Sequence, residues 1–184
     1  LQERAVGGRD MTAVHAGLLT QFQQQKSPVN KLRAMWGLHV TGGTSLPWLR
    51  EQLDHPAEHV RVWAVRLLTQ EKEVDAPTRR LLERMASVEK SAMVRLYLAS
   101  ALQILPVPDR VALAGALLKR SEDAGDHNQE LLIWYGIEAI ASEDPEAALG
   151  LIKASRLQKP RRYAARRIVE QTIEKPTVVN ALVN

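Results

Sequence analysis

One helical unit recurs along this chain and restricts the folds that the chain can adopt. Its clearest copy, residues 54–70, has an acid in a turn, then a proline at a first-turn position, where a missing N–H costs nothing, and then a helix. The apolar residues of that helix follow the i, i+4, i+7, i+8 spacing of a helix that buries one face: Val60, Ala64, Leu67 and Leu68. We therefore expect each unit to pack its helix against a neighbour.

Three other segments align with this helix: residues 32–38, 94–100 and, without the arginine, 131–137. The arginines of the first three copies are separated by 28 and 34 residues: Arg33, Arg61 and Arg95. Spacings in this range are typical of helical solenoids, in which stacked hairpins bury a core that no single hairpin could bury alone. No useful β-type alternation appears, so the sequence predicts an all-α fold.

Caps and helix breakers divide the chain into about five helical hairpins. The predicted pairs are 11–25 with 28–40, 45–53 with 56–70, 75–88 with 90–105, 109–120 with 128–141, and 144–156 with 160–174. Ser27-Pro28 and Asp144-Pro145 are predicted caps, Gly42-Gly43 a helix end, and Pro106 with Pro108 a stop. Small residues would allow close helix approach: Ala34, Gly37, Ala64, Ala99, Ala101 and Gly136. Residues 1–4 read as helix and 176–184 as the start of one, so we interpret 1–184 as a single repeat domain within a longer chain.

Composition excludes several classes of site. With four Trp, three Tyr and one Phe, the core must rest on Leu, Val, Ile and Ala. The absence of cysteine excludes disulfides, thiolate metal sites, cysteine catalysis and covalent haem attachment within this chain, but leaves the compartment open. His55 and His59 have a zinc-like i, i+4 spacing, but His55 precedes a proline and no third ligand is near. We predict no catalytic, cofactor-binding or metal-binding residue, no signal peptide and no transmembrane segment.

The pattern Val60-Arg61-x-x-Ala64-x-x-Leu67-Leu68 after Asp54-x-Pro56 resembles the second helix of a HEAT repeat. Over nearly the whole chain, the order of segments 1–4, 31–39, 60–68, 133–138 and 166–168 resembles the HEAT-repeat segment of certain large bacterial proteins. Those proteins carry an N-terminal membrane-bound-dehydrogenase-like propeller and a C-terminal c-type haem domain with a Cys-x-x-Cys-His motif. Neither flanking domain lies in this sequence, so their redox chemistry is assigned to no residue here.

This resemblance implies a HEAT-like α-solenoid that acts as a non-catalytic scaffold within a redox-associated bacterial protein. It also implies an extracytoplasmic or periplasmic setting and, as partners, proteins such as flanking domains of the same chain.

Arginines and aromatic residues supply the candidate interaction surface. Arg33, Arg61 and Arg95 either bridge to acids in turns, such as Asp54 or Asp75, or form a row that binds an anionic partner. For Arg61 we expect a carboxylate or a turn carbonyl as the partner. Aromatic residues at corresponding positions either pack against the core or serve as binding anchors: Trp36, Trp63, Tyr97, Trp134 and Tyr135.

Charge is segregated near the C-terminal end. Residues 121–152 hold eight acids and no Lys or Arg, whereas residues 153–167 hold seven cations and no acid. This basic segment includes Arg156, Arg162 and Arg166, the last two an i, i+4 pair on one helix face. It either docks on a neighbouring acidic surface or binds phosphate.

Two other functions stay open. The first is a nucleic-acid-binding helical repeat that uses the three arginines and the basic segment; the thin aromatic content there and the nearby acids argue against it. The second is an enzyme on a HEAT-like scaffold, with a faint resemblance to alkylated-base DNA glycosylases. That function would need a carboxylate beside exposed aromatic rings.

Overall fold

Helices make up all the regular structure that is described. The computed structural model describes residues 7–8, 10–70 and 73–174, and these contain no strand. Their ten α-helices are α1 (Thr12–Gln24), α2 (Pro28–Val40), α3 (Leu46–Glu51), α4 (Glu58–Leu68), α5 (Ala76–Val88), α6 (Ala92–Ala101), α7 (Val107–Leu118), α8 (His127–Glu143), α9 (Pro145–Ala154) and α10 (Gln158–Glu174). Short 3₁₀ turns follow α3 at Gln52–Asp54 and α7 at Ser121–Asp123. The predicted all-α class is confirmed, while the predicted helices at residues 1–4 and 176–184 lie outside the described residues.

Helix starts are set by short polar side chains that accept N–H groups of the first turn. Within the described ranges, the N-cap residues that do this are Ser45, Asp75, Ser91, Asp126 and Asp144. Helix α2 ends just before Gly42-Gly43, as predicted. Gly42 has a φ of 74°, and the Gly43 N–H donates to the Leu38 carbonyl at 2.7 Å. These local signals explain why most predicted boundaries agree with the structure.

Several helix boundaries differ from the sequence prediction, and three of these differences lie at turns whose hydrogen bonds or prolines are clear. Helix α4 begins at Glu58 rather than Pro56, since its first i→i+4 bond runs from the Arg61 N–H to the Ala57 carbonyl at 3.3 Å. The Ala57 N–H is accepted by His55 Nδ1 at 3.0 Å. Helix α6 ends at Ala101, and the next three residues, 102–104, continue in tighter i→i+3 bonds. Pro108 is predicted to stop this hairpin but lies in the first turn of α7, where its missing N–H is tolerated.

The helix contacts divide the chain into two units, Leu1–Leu68 and Thr69–Asn184. In the first unit, α1 packs on α2, α3 packs on α4, and α2 packs on α4. In the second unit, α5, α7 and α9 contact one another in succession, and so do α6, α8 and α10. Each helix of the first series also contacts the helix that follows it in the chain. The second unit is therefore a two-layer arrangement of three helical hairpins.

Most of the buried apolar side chains are aliphatic, as the composition predicts. Fully buried examples include Met35 and Leu38 in the first unit and Leu98, Ile133 and Ile137 in the second. Among the described aromatic side chains, Phe22 is the one in the buried class. Within the described ranges, no helix has both the length and the apolar character needed to cross a bilayer.

Candidate interaction surface

A face of the first unit carries two tryptophans from neighbouring helices. On α2, positions spaced i, i+4, i+7, i+11 are exposed: Val29, Arg33, Trp36 and Val40. On α4, Trp63 is half-buried and Arg66 is exposed. The rings of Trp36 and Trp63 meet edge to face with centroids 4.8 Å apart, which joins the two helices into one surface. We call these six residues the Trp face.

The Trp face combines apolar area with positive charge. The Arg66 guanidinium carbon lies 4.3 Å from the centre of the Trp63 ring, within the range of a cation–π contact. Trp36 leaves 38% of its surface in solvent, and Val29 leaves 56%. The sequence prediction includes Arg33, Trp36 and Trp63 but misses Arg66, Val29 and Val40. The two valines could have been found from their spacing on α2, which places them on the same helix face as Trp36.

Arg61, predicted to lie on an interaction surface, is bound within its own turn. Its Nη1 donates to the carbonyls of His55 and Pro56 at 2.8 and 3.1 Å. The predicted contact between Arg61 and a turn carbonyl is therefore confirmed. The same turn contains the His55 imidazole, in contact with the Phe22 ring at a centroid distance of 5.8 Å.

Arg95 is buried, which corrects its assignment to an exposed row of arginines. The side chains of Arg95 and Asp123 are both 3% exposed. Arg95 Nε donates to Asp123 Oδ2 at 2.7 Å, and Nη2 donates to Oδ1. The hydrogen bonds to Asp123 raise the pKa of the guanidinium. The bridge to a turn acid is thus the interpretation that fits Arg95, but the acid is Asp123 rather than Asp54 or Asp75.

The contacts of Arg61 and Arg95 with their turns are equivalent. Arg95 Nη1 donates to the carbonyls of Glu89 and Lys90, six and five residues earlier, each at 3.0 Å. Arg61 makes the same pair of bonds to residues six and five positions before it. Two second helices of predicted hairpins therefore share one local structure.

A second recurring contact occurs where the first helix of a hairpin begins, at α5 and at α7. Arg79 Nη1 donates to the Val74 carbonyl at 2.5 Å, and Arg110 Nε donates to the Leu105 carbonyl at 2.8 Å. Each acceptor lies five residues before its arginine, in the turn that precedes α5 or α7. Sequence alignment of the second helices did not find this repeat.

The remaining predicted aromatic residues lie in the second unit. Tyr97 and Trp134 are half-buried, and Tyr135 is 50% exposed. The Trp134 ring packs edge to face on Tyr163 with centroids 5.6 Å apart. Tyr97 also makes interactions of its own. These aromatic residues pack at the edge of the core rather than inside it.

The basic segment meets the acidic segment within the second unit. Lys159 Nζ lies 3.4 Å from the carboxylate of Glu130, whose side chain is 6% exposed, and 3.1 Å from His127 Nδ1. Arg167 Nε donates to Ser142 Oγ at 3.1 Å. The predicted docking of basic residues on a neighbouring acidic helix is thus observed for part of the segment.

Other cations of this segment have different surroundings. Arg166 is 81% exposed and pairs along its own helix with Glu170 at 3.1 Å. Arg156 and Arg162 line a cavity of about 470 Å³ together with Lys159, Tyr163 and Glu130. The sequence alone did not indicate that Arg156 and Arg162 line a cavity while Arg166 pairs with Glu170.

The described residues contain no group of three or more His, Asp or Glu side chains that could hold a metal ion. His55 lies in the turn before α4, and its Nδ1 accepts the Ala57 N–H. Burial is the main cause that lowers the pKa of His55, and the nearby cations Lys31 and Arg61 lower it further.

Comparison of the chain with family models, with curated proteins and with solved structures finds no match.

Proposed function

We propose that this chain is a HEAT-like helical-repeat scaffold that binds a protein partner through the Trp face and performs no catalysis itself. The repeat architecture is supported by the recurring arginine–carbonyl contacts and by the order of helix contacts within the second unit. The binding role is carried by one observation: the edge-to-face Trp36–Trp63 pair on the surface of the first unit.

The composition of the Trp face is that of a binding hot spot. Tryptophan and arginine are the residue types whose truncation most often weakens protein–protein binding. An exposed tryptophan leaves a large apolar area in water, and covering it provides a favourable free energy of association. Single exposed apolar residues are ordinary on protein surfaces, but here one of two contacting tryptophans shares a helix face with two exposed valines.

Charge identifies the kind of partner. Arg33 and Arg66 are cationic, and none of the six Trp-face residues is acidic. A complementary surface would place carboxylates around one or two apolar side chains that fill the space beside the rings. The resemblance to multidomain bacterial proteins makes a flanking domain of the same polypeptide, in a redox-associated protein, the partner that we expect.

A random peptide library displayed on phage tests this proposal with the purified chain. Selection should enrich peptides that carry Asp or Glu next to an apolar residue. Trp36→Ala and Trp63→Ala should each weaken the selected peptides at least about 30-fold, the effect of losing a hot-spot side chain. Tyr135→Ala is the matched control, because Tyr135 is an exposed aromatic residue outside the Trp face.

Two results would contradict the binding proposal. One is enrichment of peptides without acidic residues. The other is equal weakening by the Tyr135 and Trp36 substitutions. Circular dichroism of each variant separates a lost contact from a lost fold.

The alternatives receive less support. A row of three arginines that binds nucleic acid is disfavoured, because Arg95 is buried and Arg61 donates to turn carbonyls. A glycosylase needs a carboxylate beside exposed aromatic rings. Glu130 and Tyr163 line one cavity, but that carboxylate is buried and paired with Lys159. Release of alkylated bases from DNA by the purified chain would overturn the non-catalytic assignment.

A further inference from the structure

The cavity between the starts of α8 and α10 contains positive charge that its surroundings do not balance. Arg156, Lys159 and Arg162 line it, and Glu130 is the acidic residue in its wall. Lys159 is the residue that pairs with Glu130. Within the part of the chain that the structure describes, the guanidinium groups of Arg156 and Arg162 have no ion pair. The cavity therefore carries an excess of about two positive charges.

The cavity is an open groove, because six of its eight lining residues are exposed. Its volume of about 470 Å³ is large enough for a small organic anion to lie in it with part of its surface in solvent. Gln158 and Lys159, the first residues of α10, line it, so the positive end of the helix dipole adds to the field of the arginines. Tyr163 contributes an aromatic ring that is 38% exposed.

From these observations we infer that this cavity binds a small organic phosphate. Arg156 and Arg162 would bind its phosphate oxygens, because the guanidinium fork matches phosphate in a bidentate geometry. The Tyr163 ring would contact the organic part of the ligand. Glu130 holds Lys159 in place and at the same time weakens the field in the cavity. This site is separate from the Trp face, so its existence does not depend on the proposed protein-binding function.

Isothermal titration calorimetry of the full chain at constant ionic strength tests the inference with three probes. Adenosine diphosphate carries both a phosphate group and an organic part, inorganic pyrophosphate carries the charge alone, and adenosine carries neither charge nor phosphate. We expect saturable binding of one adenosine diphosphate per chain, weaker binding of pyrophosphate, and no binding of adenosine. Adenosine binding as tightly as the diphosphate, or no saturable binding of either anion, would overturn the inference.

Matched variants separate this site from general surface charge. Arg156→Gln and Arg162→Gln should each weaken diphosphate binding roughly 10-fold, because each removes one charge-assisted contact. Arg161→Gln is the control, since Arg161 is exposed on the same helix and does not line the cavity. Equal weakening by all three substitutions would contradict a defined pocket. Glu130→Gln should tighten binding, because it removes the negative charge from the wall.

Nucleic acid is the competing source of phosphate. A single-stranded oligonucleotide that binds more tightly than adenosine diphosphate, and that loses affinity equally with Arg161→Gln, Arg162→Gln and Arg166→Gln, would indicate an extended nucleic-acid surface and overturn the inference. Melting temperatures close to that of the unmodified chain confirm that these exposed substitutions leave the fold intact.

Discussion

At the scale of single residues, two arginines with the same sequence context have different roles. Arg61 and Arg95 hold their own turns through equivalent hydrogen bonds. Arg95 in addition pairs with Asp123 in the interior, 28 residues further along the chain. A buried ion pair is costly to break from one side, because the remaining charge keeps its desolvation penalty and loses its partner.

We therefore predict a larger loss of stability from Arg95→Met than from Arg61→Met. Arg95→Met should lower the free energy of unfolding by about 3–5 kcal/mol, because Asp123 stays buried without its cation. Arg61→Met should lower it by about 1–3 kcal/mol through unpaired turn carbonyls. Urea denaturation measures both effects.

A double variant provides the control for this pair. Arg95→Met with Asp123→Leu should be more stable than Arg95→Met alone, because no isolated buried charge remains. Additive losses in the double variant would show that the Arg95–Asp123 pair has no coupling energy. Stability unchanged by Arg61→Met would contradict a structural role for that residue.

His55 makes the stability of the first unit depend on pH. Its pKa in the folded chain lies below the ordinary value of 6.5, first because burial disfavours the imidazolium and then because of nearby cations. Protonation at Nδ1 would also remove the acceptor of the Ala57 N–H. The contribution of neutral His55 is thus present above pH 6.5 and is lost as the pH falls through the lowered pKa.

Between pH 7.5 and pH 5, the free energy of unfolding should therefore decrease, with a slope from His55 of at most about 1.4 kcal/mol per pH unit. His55→Gln should reduce that slope, and by more than His59→Gln, the matched histidine substitution at an exposed position on α4. Equal slopes in His55→Gln and the unmodified chain would assign the pH dependence to other groups.

At the scale of elements, the approach of α8 to the end of α6 depends on a glycine. A β-carbon at Gly136 would lie 2.5 Å from Leu102 Cβ and 2.7 Å from its Cδ1. Leu102 follows α6 directly and is fully buried, so its side chain has little room to move. The small residue predicted to allow close helix approach does so here.

Gly136→Ala should destabilise the chain by about 1–3 kcal/mol, the usual cost of overpacking a tight contact. Gly150→Ala is the control, because Gly150 lies within α9 and no atom lies within 4 Å of its added β-carbon. That substitution should be stabilising by about 0.5–1 kcal/mol, since alanine is the better helix former. Thermal unfolding of the two variants measures both effects, and shifts of the same sign would contradict the packing argument.

At the scale of the whole molecule, net charge gives a misleading picture of nucleic-acid binding. The net charge of +4 is a difference between blocks: residues 1–120 contribute +6, residues 121–152 contribute −8, and residues 153–184 contribute +6. Part of this opposite charge is used internally by the Lys159–Glu130 pair. A duplex needs several phosphate contacts in one continuous stripe, and its affinity falls steeply with salt.

We accordingly predict only weak, non-specific binding of duplex DNA, with a Kd of ~10⁻⁴ M or weaker near physiological salt. Fluorescence anisotropy with a labelled duplex measures this affinity. Micromolar or tighter binding that is lost in the Arg162→Glu, Arg166→Glu double variant would favour the nucleic-acid alternative over the scaffold.

The sequence by itself determined the helical class, most helix boundaries and the aliphatic core. These features depend on local physics, namely apolar spacing, caps such as Asp75 and Asp144, and the glycine pair after α2. The HEAT-like solenoid, the single-domain organisation and the scaffold role stay predictions. These three predictions depend on which distant surfaces pack together, and signals within one helix or turn carry no information about that packing.

The tertiary structure decided which of the predicted site residues are accessible. Arg33, Arg61 and Arg95 look alike in sequence, yet the first is exposed, the second holds a turn and the third is buried against Asp123. The partner of Arg95 comes from another hairpin, and the lining of the Arg156–Arg162 cavity combines residues from two helices and two loops. Such contacts arise only when separate elements pack together, because no spacing within one helix encodes the side chains of its neighbour.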